Sequence, residues 1–235
     1  MISSYKKPDF FKQKGRSSDL FLLIVEGEKT ELFYFEKLKA IRGRESNIRI
    51  KTETTSGGDI DAMLRLARAK IKESKNRKNI LNAPFKKVYI IIDRDRFLNS
   101  QIPGIGLKPL QNAINSISKN KEKIEIIISA PCFEYWYLLH FCKQRPCGQT
   151  KLFKLLNKHL KSKNILSSNH SYSKKEADTK RMLEKFFQET DISIAISNSK
   201  GVTTQYVSNG DDRLDRDPCT EVHKLIEELE LDKTK

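Results

Sequence analysis

Two apolar runs in this chain end in acid. VYIIIDRD, at residues 88–95, closes on Asp93 and Asp95 with one arginine between them, and FLLIV, at residues 21–25, closes on Glu26. An unbroken apolar run of that length is what a strand buried on both faces looks like, and a strand's two-residue period places Asp93 and Asp95 on one side. Like charges held so close require a cation. Carboxylate oxygens suit Mg2+ or Mn2+, with substrate phosphates and water completing the coordination. Such an ion acidifies a coordinated water, and a pair of ions stabilises the attacking and leaving oxygens of a phosphodiester. Glu26, Asp93 and Asp95 are therefore the candidate metal ligands, with Glu26 alternatively a general acid or base. Arg94 and Arg96 flank them and either neutralise the acids or meet phosphate; continued strand geometry points Arg94 away from Asp93 and Asp95.

The elements that must position these residues alternate along the chain. Residues 20–25 read as a strand, and EGEKTE leads into a helix over 32–40, where Leu32, Phe35 and Leu38 share a face. Residues 48–54 alternate as a second strand. TSGGD then turns into a long helix over 60–75, with Asp59 as its N-cap and Gly57 and Gly58 as a possible anion cradle. After the central strand, residues 96–109 carry Pro103, Gly104, Gly106 and Pro109 and read as a rim or lid. A helix over 110–117 and an apolar strand over 124–129 follow. This alternation predicts an α/β fold, a mostly parallel sheet flanked by helices, and such sheets bind ligands at the carboxyl ends of their strands.

APCFEYWYLLHFC, residues 130–142, places Phe133, Trp136, Tyr137, His140 and Phe141 at the spacing of a core-facing helix. Glu134 falls in its first turn, where a carboxylate either complements the helix dipole or reaches the metal site. From residue 143 the composition turns basic. Residues 143–190 hold twelve Lys and Arg against four Asp and Glu, Lys174 and Lys175 among them, which supplies eight of the chain's fifteen excess positive charges. That predicts a basic, mainly helical extension able to follow a phosphate backbone. Residues 192–196 read as a short apolar strand or helix end, 197–217 as polar and turn-rich, and 220–230 as a closing amphipathic helix. The organisation expected is a basic tail (1–18), a catalytic core (19–142) and a basic helical lobe (143–235) packed on the core as one globular unit.

A net charge of +15 and a pI near 9.6 favour a polyanionic partner, nucleic acid before an anionic membrane surface. No apolar stretch reaches spanning length and the first residues have no apolar signal core, so a cytoplasmic location is expected. Cys132, Cys142, Cys147 and Cys219 show no CxxC spacing and read as reduced, mostly packed thiols; with His140 and His159 they match no standard zinc spacing. Neither a dinucleotide fingerprint, a P-loop nor a nucleophile elbow is present.

FLLIVEGEKTELFYFEKL, VYIIIDRD and SAPCFEYWYLLHF, together with the closing RDPCTEVHKLIEEL, resemble the RloB-like family across nearly the whole chain. The resemblance implies a Toprim-like catalytic core and an association with bacterial restriction and antiphage defence. It also implies metal and acid–base roles for Glu26, Asp93 and Asp95, a supporting role for Glu31, and a late basic group at the scissile phosphate, for which Lys200 in NSKG is a loose match beside its reading as a loop lysine. The expected activity is Mg2+- or Mn2+-dependent cleavage of DNA or RNA, within a defence system that includes a possible partner protein. Nucleotidyl transfer by the same core, and a non-catalytic nucleic-acid-binding subunit, are the alternatives.

Overall fold

The computed structural model describes residues 19–27, 29–42, 48–54, 59–75, 84–98 and 106–229. Its elements run β1 (Asp19–Val25), α1 (Thr30–Arg42), β2 (Ile48–Thr54), α2 (Ile60–Lys75), β3 (Phe85–Asp93), α3 (Asp95–Leu98), α4 (Lys108–Lys119), β4 (Ile124–Ala130), α5 (Glu134–Leu139), α6 (Gly148–Ser162), α7 (Glu176–Glu189), α8 (Ile192–Ser208), β5 (Cys219–Thr220) and α9 (Val222–Glu228). The expected basic tail, the Gly57–Gly58 cradle and the rim positions Pro103 and Gly104 lie outside the described residues.

The strands form one sheet in the order β2-β1-β3-β4-β5, parallel except for β5. Burial on both faces explains the unbroken apolar runs: Leu22, Leu23, Ile24 and Val25 are all fully buried, each worth about 2 kcal/mol on removal from water. Alternate residues feed two cores. Phe21, Leu23, Val25, Tyr89, Ile91 and Ile127 face α1 and the helices from α5 onward. Leu22, Ile24, Val88, Ile90, Ile126 and Ile128 face α2 and α4. The chain turns one way from β1 to β2 and the other way to β3, so the switch point of this α/β sheet lies between β1 and β3. Glu26 and Asp93 close those two strands.

Several local expectations change. The central strand stops at Asp93; Arg94 is a turn and Asp95 opens α3, so the two aspartates do not share a strand face. The cause is Arg94, which turns inward instead of away: it is 5% exposed and donates to Asp95, to Asp217 and to the carbonyls of Leu214 and Arg216. Of the stretch expected to be turn-rich, residues 209–217 are turn and loop as expected, while residues 197–208 are instead the second half of α8. Its Ser, Gly and Thr are poor helix formers, but Ser199, Val202 and Tyr206 are buried, and Asn198 and Ser199 donate to the carbonyls of Leu139 and Thr220 at 2.8 and 2.9 Å. Packing overrides propensity there. The core-facing helix expected around Trp136 is present, as a six-residue helix buried on every side. Side chains from α6, α7, α8 and α9 share the core that holds β1 and β3.

Candidate functional site

The carboxyl ends of β1 and β3 are tied together through a site residue. Glu26 N donates to the Ile91 carbonyl at 3.2 Å, and Asp93 N donates to Glu26 Oε2 at the same distance. Asp93 Oδ1 accepts from the Phe133 backbone N–H at 2.8 Å, which aims the carboxylate at the start of α5. Two further acids converge from helix starts. Glu31 comes from the first turn of α1, and Glu134, 0% exposed, from the first turn of α5. Glu26, Gly27, Lys29, Thr30, Glu31, Asp93, Arg96 and Lys174 line a cleft of about 380 Å³.

Glu134 is held in place by neutral donors. Its Oε1 accepts from Thr30 Oγ1 at 3.4 Å and from Tyr172 OH at 3.2 Å, and Tyr137 OH fixes this corner by donating to the Thr30 carbonyl. Its Oε2 accepts no hydrogen bond but lies 3.0 Å from Lys174 Nζ. The same ammonium is 3.9 Å from Asp93 Oδ2, and Arg96 pairs with Glu26. Gly27 allows the close approach of Glu31: a Cβ at that position would collide with the Glu31 carboxylate.

Crowding sets the protonation of these groups. Burial, with Glu134 and Glu26 nearby, raises Glu31 to about 7. Burial first, then the Glu31 and Glu134 carboxylates, push Asp93 well above the ordinary aspartate range. Burial alone would lower Lys174, but Glu134 and Asp93 outweigh it and its pKa is raised. Carboxylates that resist ionisation beside a cation mark a site with excess negative charge.

Oxygen donors of this kind fit a hard divalent cation. Asp93 and Glu134 place carboxylate oxygens within 4.8 Å of each other and of the Cys132 thiol. Burial and the two neighbouring acids raise the thiol's pKa, and a hard cation prefers the carboxylate oxygens to sulfur as donors. Glu134 Oε2, which meets the Lys174 ammonium at 3.0 Å, is the atom through which the buried carboxylate would reach such an ion.

Of the residues singled out from sequence, Glu26, Glu31, Asp93, Glu134, Arg96 and Lys174 are brought together. Asp95 is not among the cleft-lining residues; it pairs with Arg94 at 3.0 Å, and Arg94 pairs with Asp217 at 2.6 Å. Lys200 lies on α8 and pairs with Glu227 at 2.6 Å. Lys175 opens α7 with its side chain exposed. Thr30, Cys132 and Tyr172 were not read from sequence as part of the site. Thr30 and Cys132 stand inside EGEKTE and APCFE, where proximity to Glu31 and Glu134 was the available signal; nothing local marks Tyr172.

No curated protein and no solved structure gives a match to the chain. The model of the RloB-like protein family matches residues 21–229, a span that runs from β1 to the end of α9 and contains every acid of the cleft. The chain therefore belongs to the RloB-like family.

Proposed function

We propose that this chain cleaves phosphodiester bonds of nucleic acid, using Mg2+ or Mn2+ held by Asp93 and Glu134 with Glu26, on a Toprim-type sheet and in the service of antiphage defence in the cytoplasm. The observation that carries the reading is the gathering of four carboxylates at the switch point of the sheet, with one of them raised to about 7. The bound ion would supply positive charge to the phosphate oxygens and lower the pKa of attacking water. Glu31, which burial and its acidic neighbours hold above the ordinary carboxylate range in the metal-free site, is suited to accept that water's proton. The Phe133 N–H and the Asp93 N–H fix Asp93 and Glu26 before substrate arrives, and Lys174 and Arg96 are the cations from which a phosphate would draw contacts. A net charge of +15 brings the polyanion to the surface.

A second reading is a nucleic-acid-binding subunit without catalysis. The pairing of Lys174 with Glu134 and of Arg96 with Glu26 favours it, because those cations already compensate part of the acid. The two part on one experiment. Purified protein is incubated with labelled DNA and RNA in manganese, beside Asp93→Ala. Cleavage present in the parent and absent in the variant supports the phosphodiesterase. Equal cleavage in both, or binding without cleavage on every substrate, overturns it in favour of the second reading.

A further inference from the structure

A second concave surface lies beside the cleft and differs from it in sign. Helix α6, GQTKLFKLLNKHLKS, contains no acidic residue. Leu152, Leu156 and Leu160 turn inward, and Lys151, Lys154, Lys158 and Lys161 turn into a groove of about 740 Å³ that is also lined by Pro146 and Leu155. Among the described residues, none of these lysines has a carboxylate partner, whereas Lys174 of the acid cleft and Lys200 of α8 do. Ten residues separate Lys151 from Lys161, about 15 Å of helix at 1.5 Å per residue, so the charges are spread along the groove and not focused on one ion.

The groove is physically joined to the acid cleft. Ser171 lines it, and the next residue, Tyr172, donates its backbone N–H to Asn157 Oδ1 at 2.6 Å and its hydroxyl to Glu134 Oε1 at 3.2 Å. Tyr172 also stacks on Phe153 of α6, with ring centroids 6.0 Å apart. Two residues on, Lys174 reaches the acids. One short segment thus borders the groove on one side and the cleft on the other.

We propose that the α6 groove is the track along which a single strand of nucleic acid reaches the acid cleft, an inference that rests on the phosphodiesterase reading for the strand's destination. The lysines meet successive phosphates, and the apolar floor of Pro146 and Leu155 receives the face of an unpaired base, which a duplex keeps stacked inside. An acidic protein or an anionic membrane would need only the charge; the hollow with an apolar floor favours a chain that alternates phosphate with an apolar ring.

The test is binding of a fluorescent single-stranded oligonucleotide to the full chain, in EDTA so that no cleavage intervenes, over a range of salt. Lys154→Gln with Lys158→Gln is compared with Lys72→Gln with Lys75→Gln, which removes the same charge from the exposed side of α2 on the opposite face of the sheet. The groove pair is expected to weaken binding roughly tenfold and to lower the slope of log affinity against log salt by about 1.4, at about 0.7 per phosphate contact on a single strand. Lys154→Arg with Lys158→Arg should restore binding. Equal loss in both glutamine pairs, unchanged binding in the groove pair, or preference for duplex or for phosphatidylserine vesicles over the single strand overturns the inference. Manganese assays separate the two claims. Cleavage lost in Asp93→Ala with an unchanged KM in the groove pair leaves the phosphodiesterase and removes the track. Binding lost in the groove pair with no cleavage by any variant keeps the track and removes the phosphodiesterase.

Discussion

Arg94 and Lys174 are both cations set among carboxylates at the same end of the sheet, and they keep different company. Arg94 is buried and its two terminal nitrogens meet two carboxylates and two backbone carbonyls, so the acids around it are matched while its Nε is left without an acceptor. Lys174 is half exposed and faces Asp93 and Glu134 within a group that also includes Glu31 and Glu26, with burial and like charge raising Asp93 and Glu31. The first arrangement consumes its charge in holding the chain from Leu214 to Asp217 against β3. The second leaves charge over. Residual acid at a strand-end crevice, and not acid as such, distinguishes a candidate site from a structural ion pair.

Substitutions break this contrast in order of effect. Asp93→Ala is expected to lower manganese-dependent cleavage by about a thousandfold, the scale of losing a group that holds the reacting charge, while Asp95→Asn stays within a few-fold of the parent; equal losses would merge the two clusters into one site. Arg94→Ala should cost about 3 kcal/mol in denaturant unfolding, because Asp95 and Asp217 would lose their buried partner. Lys174→Ala should cost less than that, because the lysine is itself about half exposed and Asp93, already held well above the ordinary aspartate range, can meet the loss by taking up a proton.

The pH dependence sharpens the comparison further. Glu31 has a folded pKa near 7 against an ordinary 4.5, so the folded state holds its proton more tightly than the unfolded state. Stability should fall as pH rises from about 4.5 to 7, by up to about 3 kcal/mol, in metal-free protein. Glu31→Gln should flatten that slope when unfolding is followed at pH 5, 6, 7 and 8, and manganese should restore stability to the parent at the upper end. Gly27→Ala should displace the Glu31 carboxylate and reduce cleavage about tenfold, with a 1 Å misplacement being enough for that, and with little change in unfolding midpoint. Lys200→Ala, which removes an exposed pair with Glu227, should change stability by less than about 1 kcal/mol and cleavage not at all.

Much of this was legible because it repeats. β1, β2, β4 and α2 carry unambiguous apolar periods, and the helices between them follow from the alternation. Glu26 and Asp93 were found because each terminates such a run. The strand face expected for Asp95 fails for the same reason: the period of two ends where buried Arg94 turns the chain, and the attraction of Arg94 to a distant Asp217 has no local signature. α8 was hidden by residues of poor helix propensity that packing recruits, and β5 is two residues long. Lys174 sat in a basic run with nothing to set it apart from Lys175; its position depends on Tyr172 reaching Glu134 across 38 residues.

The far edge of the sheet is guarded in an unusual way. β5 pairs with β4 only at Ser129 and Ala130, and beyond it the edge is met by one backbone bond, Glu221 N to the Ile128 carbonyl at 3.0 Å, and by side chains: Glu221 Oε2 accepts from Ile128 N, and Arg213 Nη2 donates to the Ile126 carbonyl. Arg213 and Glu221 also hold each other at 2.6 Å. A chain cut before residue 213 would leave the Ile-rich strand at residues 124–130 with open backbone groups, a template for pairing with a second molecule. Such a truncation should aggregate before it loses its parallel sheet, making the closing segment a safeguard of solubility as much as a piece of the fold.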